Sequence, residues 1–536
     1  MHMKITFIGA THQVTGSKTL VEWNPGRWFL VDFGMEQGEN PYSETDLPVP
    51  VSRIEYVFLT HAHIDHSGLL PLLAKQGFDG KIYTTPETQN LCSIMLADSA
   101  HIQETDAAYE TKKNLRTGKD AVEPLYTAED AANIMKRFIP CEYNKTIMID
   151  DGISVCFRDA GHLLGSSFIE FWLTEGGTTR TLLCSGDVGN LNQPIIKDPY
   201  PRAETDYMMI ESTYGTRNHE GIDEPVPFLA DILRTTFSRG GTVLIPSFAV
   251  GRTQEILYFI REIKQRRLLA EFQDFPVYVD SPLANEATAV FLQCSAECLD
   301  NDCLEIMKEG SNPIWFDGLR TTVSSEESKA LNTNPEPKVI IASGGMCEGG
   351  RIRHHLKHNL WNEKNTILFT GYQAVGTLGR IIWDGAKTVK IFGESIDVHA
   401  EIRLMKGISG HADHDGLLKW FESCDKKPKY IFVNHGDDDS CESLARDFSE
   451  IYGIPSMAPY SGAEFDLLKG EWVRLTEPVR KKPAAGTETA ASRKKDSPYR
   501  DLLDAVEALR EYTEKMKESS NGEIRRLTDQ IRRLMV

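Results

Sequence analysis

The chain has 536 residues, is 40% hydrophobic and 26% charged, and carries a formal net charge of −19 with a pI near 5.3. That length predicts roughly two to four domains, and no apolar run reaches the ~18 residues that a membrane helix needs. The acidic balance argues against a surface coated in basic patches for long nucleic acids. It leaves an anionic substrate open, because dications in a cleft dominate the local field.

The N-terminus enters a strand-like stretch at residues 5–8, with no signal-peptide core before it. Further strands are predicted at 29–32, 57–60, 154–158, 168–173 and 181–184, and a mostly helical stretch at 91–138. Several of these strands end on a polar residue able to point into a site: Asp32, Thr60 and, just past the last, Asp187. The ten cysteines show no C-x-x-C and no paired framework, which predicts reduced thiols and a cytoplasmic setting. Cys294, Cys298 and Cys303 form a cluster, but the first two are one helical turn apart and read as buried or idle thiols.

From 214 to 394 the rhythm changes. Helices are predicted at 227–238 and 253–266, and strands at 242–246, 277–280, 338–342 and 366–370. This alternation predicts a parallel sheet with helices on both faces. Strands resume at 389–392 and 401–406, and histidines again sit near strand ends at His411 and His435. The α/β region therefore reads as an insertion. A first domain occupies 1–213, the inserted domain 214–394 and a return segment 395–477. Residues 478–536 read as a basic linker followed by a tail. In that tail Leu502, Val506, Leu509 and Met516, then Ile524, Leu527, Ile531 and Leu534, follow helical spacing. Such short stripes cannot be buried alone, which predicts docking on the body, on a second copy or on a protein partner.

The densest chemistry lies at Thr60-His61-Ala62-His63-Ile64-Asp65-His66, between a predicted strand and a predicted helix. Imidazoles and a carboxylate packed in this way on a rigid turn suit a zinc site. More ligands are needed to close two metal spheres. His162 in Ala-Gly-His-Leu-Leu-Gly, Asp187 in Ser-Gly-Asp-Val-Gly and His435 in Asn-His-Gly are candidates for them, with small neighbours that leave room for metal and substrate.

Asp32 in Val-Asp-Phe-Gly, the H-x-H-x-D-H run, His162 and Asp187 resemble the metallo-β-lactamase fold hydrolases. Glu211 in Ile-Glu-Ser-Thr-Tyr-Gly, His411 in Ser-Gly-His-Ala-Asp and His435 resemble the β-CASP subgroup, whose members process nucleic acids. The segments around Gly251-Arg252 and Ser343-Gly344 through Arg351 look like those of its RNA-cleaving branch, which includes the nuclease subunit of the pre-mRNA cleavage and polyadenylation factor. The resemblance runs from about Lys4 to Trp472. It implies an αββα metallo-β-lactamase sandwich with an inserted β-CASP α/β domain, to which this chain adds a short helical C-terminal tail. It also implies two zinc ions, one on His61, His63 and His162, the other on Asp65, His66 and His435, with Asp187 between them. Asp32 would orient a ligand histidine.

The same resemblance implies an RNA substrate cut to 5′-phosphate and 3′-hydroxyl ends. Asp65 would orient or deprotonate the attacking water. His411, held by Glu211, would protonate the leaving oxygen. Gly251, Arg252, Ser343, Gly344 and Arg351 lie on loops between strand and helix, where backbone N–H groups and an arginine suit phosphate. Two other readings compete: a hydrolase of a small ester, thioester or lactam, and an RNA-binding or assembly subunit with little activity. The insertion with Glu211 and His411 weighs against the first, and the complete ligand set against the second.

Overall fold

The computed structural model describes residues 3–481 except 39, 222, 223 and 375, together with Thr528. The tail helices read at 502–516 and 524–534 lie outside the described residues, Thr528 apart.

Two mixed sheets face each other. The first runs, edge to edge, Glu471–Arg474, Glu464–Asp466, Lys4–Gly9, Lys18–Asn24, Arg27–Phe33, Ile54–Phe58, Lys81–Thr84 and Phe138–Pro140. The second runs Ser456–Met457, Tyr430–Asn434, Tyr207–Glu211, Thr178–Cys184, Ser167–Glu175, Ile153–Asp159 and Ile147–Asp150. Strand side chains alternate between faces, and the sequence uses both. Ile5, Phe7, Phe29, Val31, Ile169, Phe171, Leu173 and Met209 fill the space between the sheets. On the outer side of the first sheet, Leu30, Val57 and Ile82 pack with Leu73, Leu91, Leu96 and Ile134 from its helices. On the outer side of the second, Phe168, Leu183, Met208, Ile431 and Val433 meet Leu417, Trp420, Leu444 and Phe448. The result is the αββα sandwich.

The stretch 91–138 is mostly helical, as its reading has it, with a break between two helices and a strand at its end. One helix spans Pro86–Leu115, with Thr85 capping its N-terminus through Thr88 N–H. A second, Ala128–Met135, opens on a reciprocal Thr127–Asp130 cap. The chain then enters the edge strand Phe138–Pro140.

The insertion leaves the second sheet after Glu211 and returns at Tyr430. The strands on either side pair in parallel, with Glu211 opposite Asn434. Its own sheet is parallel throughout, in the order Leu319–Thr321, Val277–Asp280, Val339–Ser343, Val243–Ser247, Thr366–Phe369 and Glu401–Leu404. Alternate residues enter two cores. Val243, Ile245, Val277, Ile341 and Leu368 face one set of helices, and Leu244, Ile340, Ile367 and Phe369 the other. Of the two later strands, the first lies within the bounds read for the insertion and the second in the segment read as the return. Thr388–Ile391 forms a hairpin with Glu394–Asp397, and Val389 and Ile391 join the inserted core. Glu401–Leu404 pairs with Thr366–Phe369, so the inserted sheet extends past the boundary read at 394.

The two-sheet core yields a direct test. The Phe171 ring lies 5.1 Å from both Phe29 and Phe58. Phe171→Ala is expected to lower the unfolding free energy in urea by ~3–5 kcal/mol. A loss below ~1 kcal/mol would contradict this packing, since that is far less than a deleted core ring costs.

Candidate metal and catalytic site

Separate chain segments converge where strands of the two central sheets end. His61 and His63 follow Ile54–Phe58, and Asp65 and His66 lie in the single-turn helix Ile64–Ser67. That turn is tied down by Ser17 N–H to Asp65 C=O at 2.8 Å and by Met35 N–H to Ile64 C=O at 2.9 Å. Gly34 permits the approach: a Cβ there would fall 1.6 Å from the Asp65 carbonyl oxygen. His162 and Asp187 occupy turns after Ile153–Asp159 and Thr178–Cys184, Glu211 ends its strand, and His435 follows Tyr430–Asn434. His411 is bridged through its backbone to Gly189.

The donor atoms form two groups about one carboxylate. In the first, His61 Nε2 and His162 Nε2 each lie 3.1 Å from His63 Nδ1. In the second, His66 Nε2 lies 2.9 Å from His435 Nε2, and Asp65 Oδ2 lies 3.8 Å from that same His435 nitrogen. Asp187 divides its oxygens between them. Its Oδ2 lies 3.4 Å from His61 Nε2 and 3.5 Å from His162 Nε2. Its Oδ1 lies 3.3 Å from His66 Nε2 and 3.5 Å from His435 Nδ1, and is buried without a hydrogen-bond partner. Imidazole nitrogens facing one another, with a buried carboxylate oxygen left unmatched, fit cations between them. The nitrogen and oxygen donor set suits zinc.

Surrounding groups fix which nitrogen faces inward. Asp32 Oδ2 lies 2.7 Å from His66 Nδ1, so that nitrogen donates and Nε2 is left for a metal. Asp32 Oδ1 also accepts from Thr60 N–H at 2.8 Å. His162 Nδ1 donates to Gly410 C=O at 2.9 Å. Asp32 and His435 hold left-handed backbone, at φ 58° and 53°; such conformations are uncommon outside glycine and persist where the surroundings enforce them.

Electrostatics separates the groups. Burial lowers the pKa of His61, His63 and His162, His63 to about 3, and neighbouring histidines add to the effect. These rings are therefore neutral lone-pair donors. Burial opposes the charge of Asp65 and Asp187, yet the histidines beside them hold both below the usual carboxylate range. Burial also opposes the charge on His411, but Glu211 and then Asp187 outweigh it and raise the pKa to about 9. His411 Nδ1 lies 3.2 Å from Glu211 Oε1. Glu211 is fully buried and accepts from Val188 N–H at 2.7 Å and Thr213 N–H at 3.2 Å.

His63, Asp65, His162 and His411 line a cleft of about 440 Å³ whose opposite wall comes from the inserted domain, including Phe248, Gly251, Arg252, Met346 and Tyr372. The loop residues expected to meet phosphate divide here. Gly251 and Arg252 reach the cleft, but Gly251 N–H donates to Gln254 and Arg252 pairs with Glu255. Ser343 and Gly344 are not among its lining residues, and Gly344 N–H is taken by Ser247 C=O. Arg351 is turned into the inserted domain, on Asp280 at 2.5 Å and Val323 C=O at 2.6 Å. Its positive charge serves a buried carboxylate that His355, Thr322 and Ser328 also contact. Cys298 and Cys303 are buried, Cys294 partly so, and all ten cysteines are free. The aromatic wall of the cleft escaped sequence reading, because Tyr214, Phe248 and Tyr372 lie far apart in the chain.

Three family matches follow the chain: the metallo-beta-lactamase superfamily at 14–114, the Beta-Casp domain at 253–382 and the Zn-dependent metallo-hydrolase RNA specificity domain at 395–459. Ribonuclease TTHA0252 of Thermus thermophilus is 35% identical over 83% of this chain and 95% of its own length. This chain belongs to the β-CASP family of metallo-β-lactamase fold hydrolases. Other β-CASP relatives include proteins named transcription termination factor FttA. The one from Methanosarcina mazei is 32% identical over 83% of this chain and 68% of its own length. That from Thermococcus kodakarensis is 31% identical over 85% and 70%. As a β-CASP member the chain is a metal-dependent hydrolase. Among the described residues no helix is long and apolar enough to cross a membrane.

The contact between Asp32 and His66 can be tested apart from catalysis. Asp32→Asn is expected to weaken metal retention ~10–100-fold in competition with a chelator. Unchanged retention in a folded variant would remove Asp32 from the support of the site.

Proposed function

We propose that this chain is a ribonuclease that holds two zinc ions and hydrolyses RNA phosphodiesters to 5′-phosphate and 3′-hydroxyl ends. The observation that carries this reading is the placement of His411 on buried Glu211, in the same cleft wall as the two ligand groups that Asp187 joins. A phosphodiester needs an activated water, neutralisation of its oxygens and a proton for its leaving oxygen. His61, His63 and His162 would hold one ion, Asp65, His66 and His435 the other, and Asp187 would bridge them. The ions would supply charge neutralisation and lower the pKa of the attacking water.

The remaining steps fall to side chains. Asp65, kept ionised in the cleft wall, can orient that water and accept its proton. Glu211 engages His411 Nδ1, which leaves Nε2 to protonate the departing 3′-oxygen. The backbone N–H groups on Glu211 keep its carboxylate in place for this. A thioester expels a thiolate that needs no such acid, and a small ester or thioester has no use for a second domain's wall along the cleft. The RNA named in the matched specificity domain and the ribonuclease name of the Thermus relative support the same substrate. We place the protein in the cytoplasm, a setting that suits ten unpaired thiols.

His411→Ala is expected to slow RNA cleavage by ~10²–10⁴-fold, as for loss of a general acid, while zinc content stays the same. The acid form is present below the His411 pKa and is lost as pH rises through it. Wild-type rate should therefore fall on the alkaline side, with bound dications moving that fall to lower pH, and the variant should lack it. An RNA with a good leaving group should rescue the variant selectively. Zinc loss in the variant, or 2′,3′-cyclic phosphate ends in the wild-type products, would contradict the mechanism.

A further inference from the structure

Glu211 and His411 are 200 residues apart in the chain, and their side chains meet at 3.2 Å. One ring–carboxylate contact fixes a distance, but not the path of the backbone that carries the ring. The segment after Glu211 supplies that second constraint. Beyond the strand Tyr207–Glu211 the chain turns through Gly215, where a Cβ would fall 2.4 Å from the Ser440 carbonyl oxygen. It then runs, without helix or strand, alongside the segment that bears His411. Arg217 C=O accepts from His414 N–H at 3.1 Å. Asn218 Oδ1 accepts from Asp415 N–H at 3.1 Å, and Asn218 Nδ2 donates to the Asp415 carboxylate at 2.8 Å. His219 N–H donates to Asp413 Oδ2 at 3.0 Å. The other oxygen of Asp413 caps the helix His414–Phe421 through Gly416 N–H at 2.9 Å.

These bonds clasp 217–219 to 413–415, and the His219 ring reaches one step further. Its Nε2 lies 2.9 Å from the carbonyl oxygen of His411. A carbonyl oxygen only accepts, so this nitrogen carries the proton. The ring stands edge-on to Tyr214, with centroids 4.4 Å apart. On its far side the His411 loop is pinned to the turn after Asp187, by Ala412 N–H to Val188 C=O at 2.8 Å and Asn190 N–H to Gly410 C=O at 3.2 Å. The backbone of the acid is thus gripped from two sides, and of the bonds in the clasp the ring's alone ends on His411. Proton transfer is steep in geometry, so a backbone shift that moves the imidazole costs rate even when Glu211 follows it. We propose that His219 is a positioning residue for the general acid: its Nε2–H holds the His411 backbone, so that the start of the insertion sets where His411 stands relative to Glu211 and the leaving oxygen. This inference rests on the ribonuclease reading and adds a residue to its acid step.

The test uses zinc-loaded, full-length protein and a labelled RNA, with and without sulfur in place of the 3′-oxygen that leaves. His219→Ala and His219→Phe are each expected to lower kcat by up to ~10²-fold, the scale of a ~1 Å misplacement, with KM and zinc content near wild type. His219→Gln, which offers an amide N–H in place of the ring N–H, should recover most of the rate. The Phe variant should not, although it keeps a ring against Tyr214. The sulfur-bridged RNA, whose thiolate needs little protonation, should be cut by His219→Ala at nearly the wild-type rate. In a His411→Ala background, His219→Ala should cost little more, because the two residues act as a unit. If wild-type protein cleaves no RNA, the ribonuclease reading and this role fall together. The positioning role alone is overturned if wild-type protein cleaves RNA but the Ala and Phe variants keep its kcat, if Phe performs as well as Gln, if His219→Ala loses equally on both RNAs, or if its loss multiplies with that of His411→Ala.

Discussion

The buried carboxylate of Asp187 is the constraint around which the site is arranged. One oxygen faces His61 and His162 and the other faces His66 and His435. The cluster sets imidazole nitrogens against each other at about hydrogen-bond distance and leaves one carboxylate oxygen unmatched. Burying charged and polar groups without partners is costly. Two dications would resolve both the crowding and the unmatched oxygen, so metal binding and the stability of this region are coupled.

The topology supplies these residues because strand ends gather at one edge of the sandwich. The parallel pairing of Tyr207–Glu211 with Tyr430–Asn434 brings Glu211 opposite Asn434 and next to His435. The long insertion therefore leaves and returns beside the site and provides the opposite wall of the cleft. The proposed catalytic groups sit on the sandwich, while the inserted domain lines the facing wall of the cleft. Local strain at Asp32 and His435 accompanies this convergence, and each residue is over-determined by contacts. Asp32 holds both Thr60 and His66, and His435 N–H donates to Ala10 C=O.

Much of the fold and of the ligand set was legible because the signals are local. Short apolar runs mark the strands, and four potential ligands fall within the short turn from Thr60 to His66. His162, Asp187 and His435 could be joined to that turn only through a family resemblance, since an isolated histidine beside glycine has no unique meaning. What failed to be legible depends on distant partners. A glycine-rich turn ending in Arg351 looks like a phosphate loop until Asp280 is seen to take the guanidinium. Strand 401–404 could be recognised as a strand, but its partner Thr366–Phe369 decides which sheet it joins. The clasp of His219 on His411 and Asp413 exists only in three dimensions, so no spacing announces it.

Anomalous diffraction at the zinc edge from crystals of the metal-loaded protein tests the central claim most directly. Two peaks should appear, one enclosed by His61, His63 and His162 and the other by Asp65, His66 and His435, with one oxygen of Asp187 directed at each. A single peak, or two peaks with Asp187 bound to neither or to only one, would contradict the account.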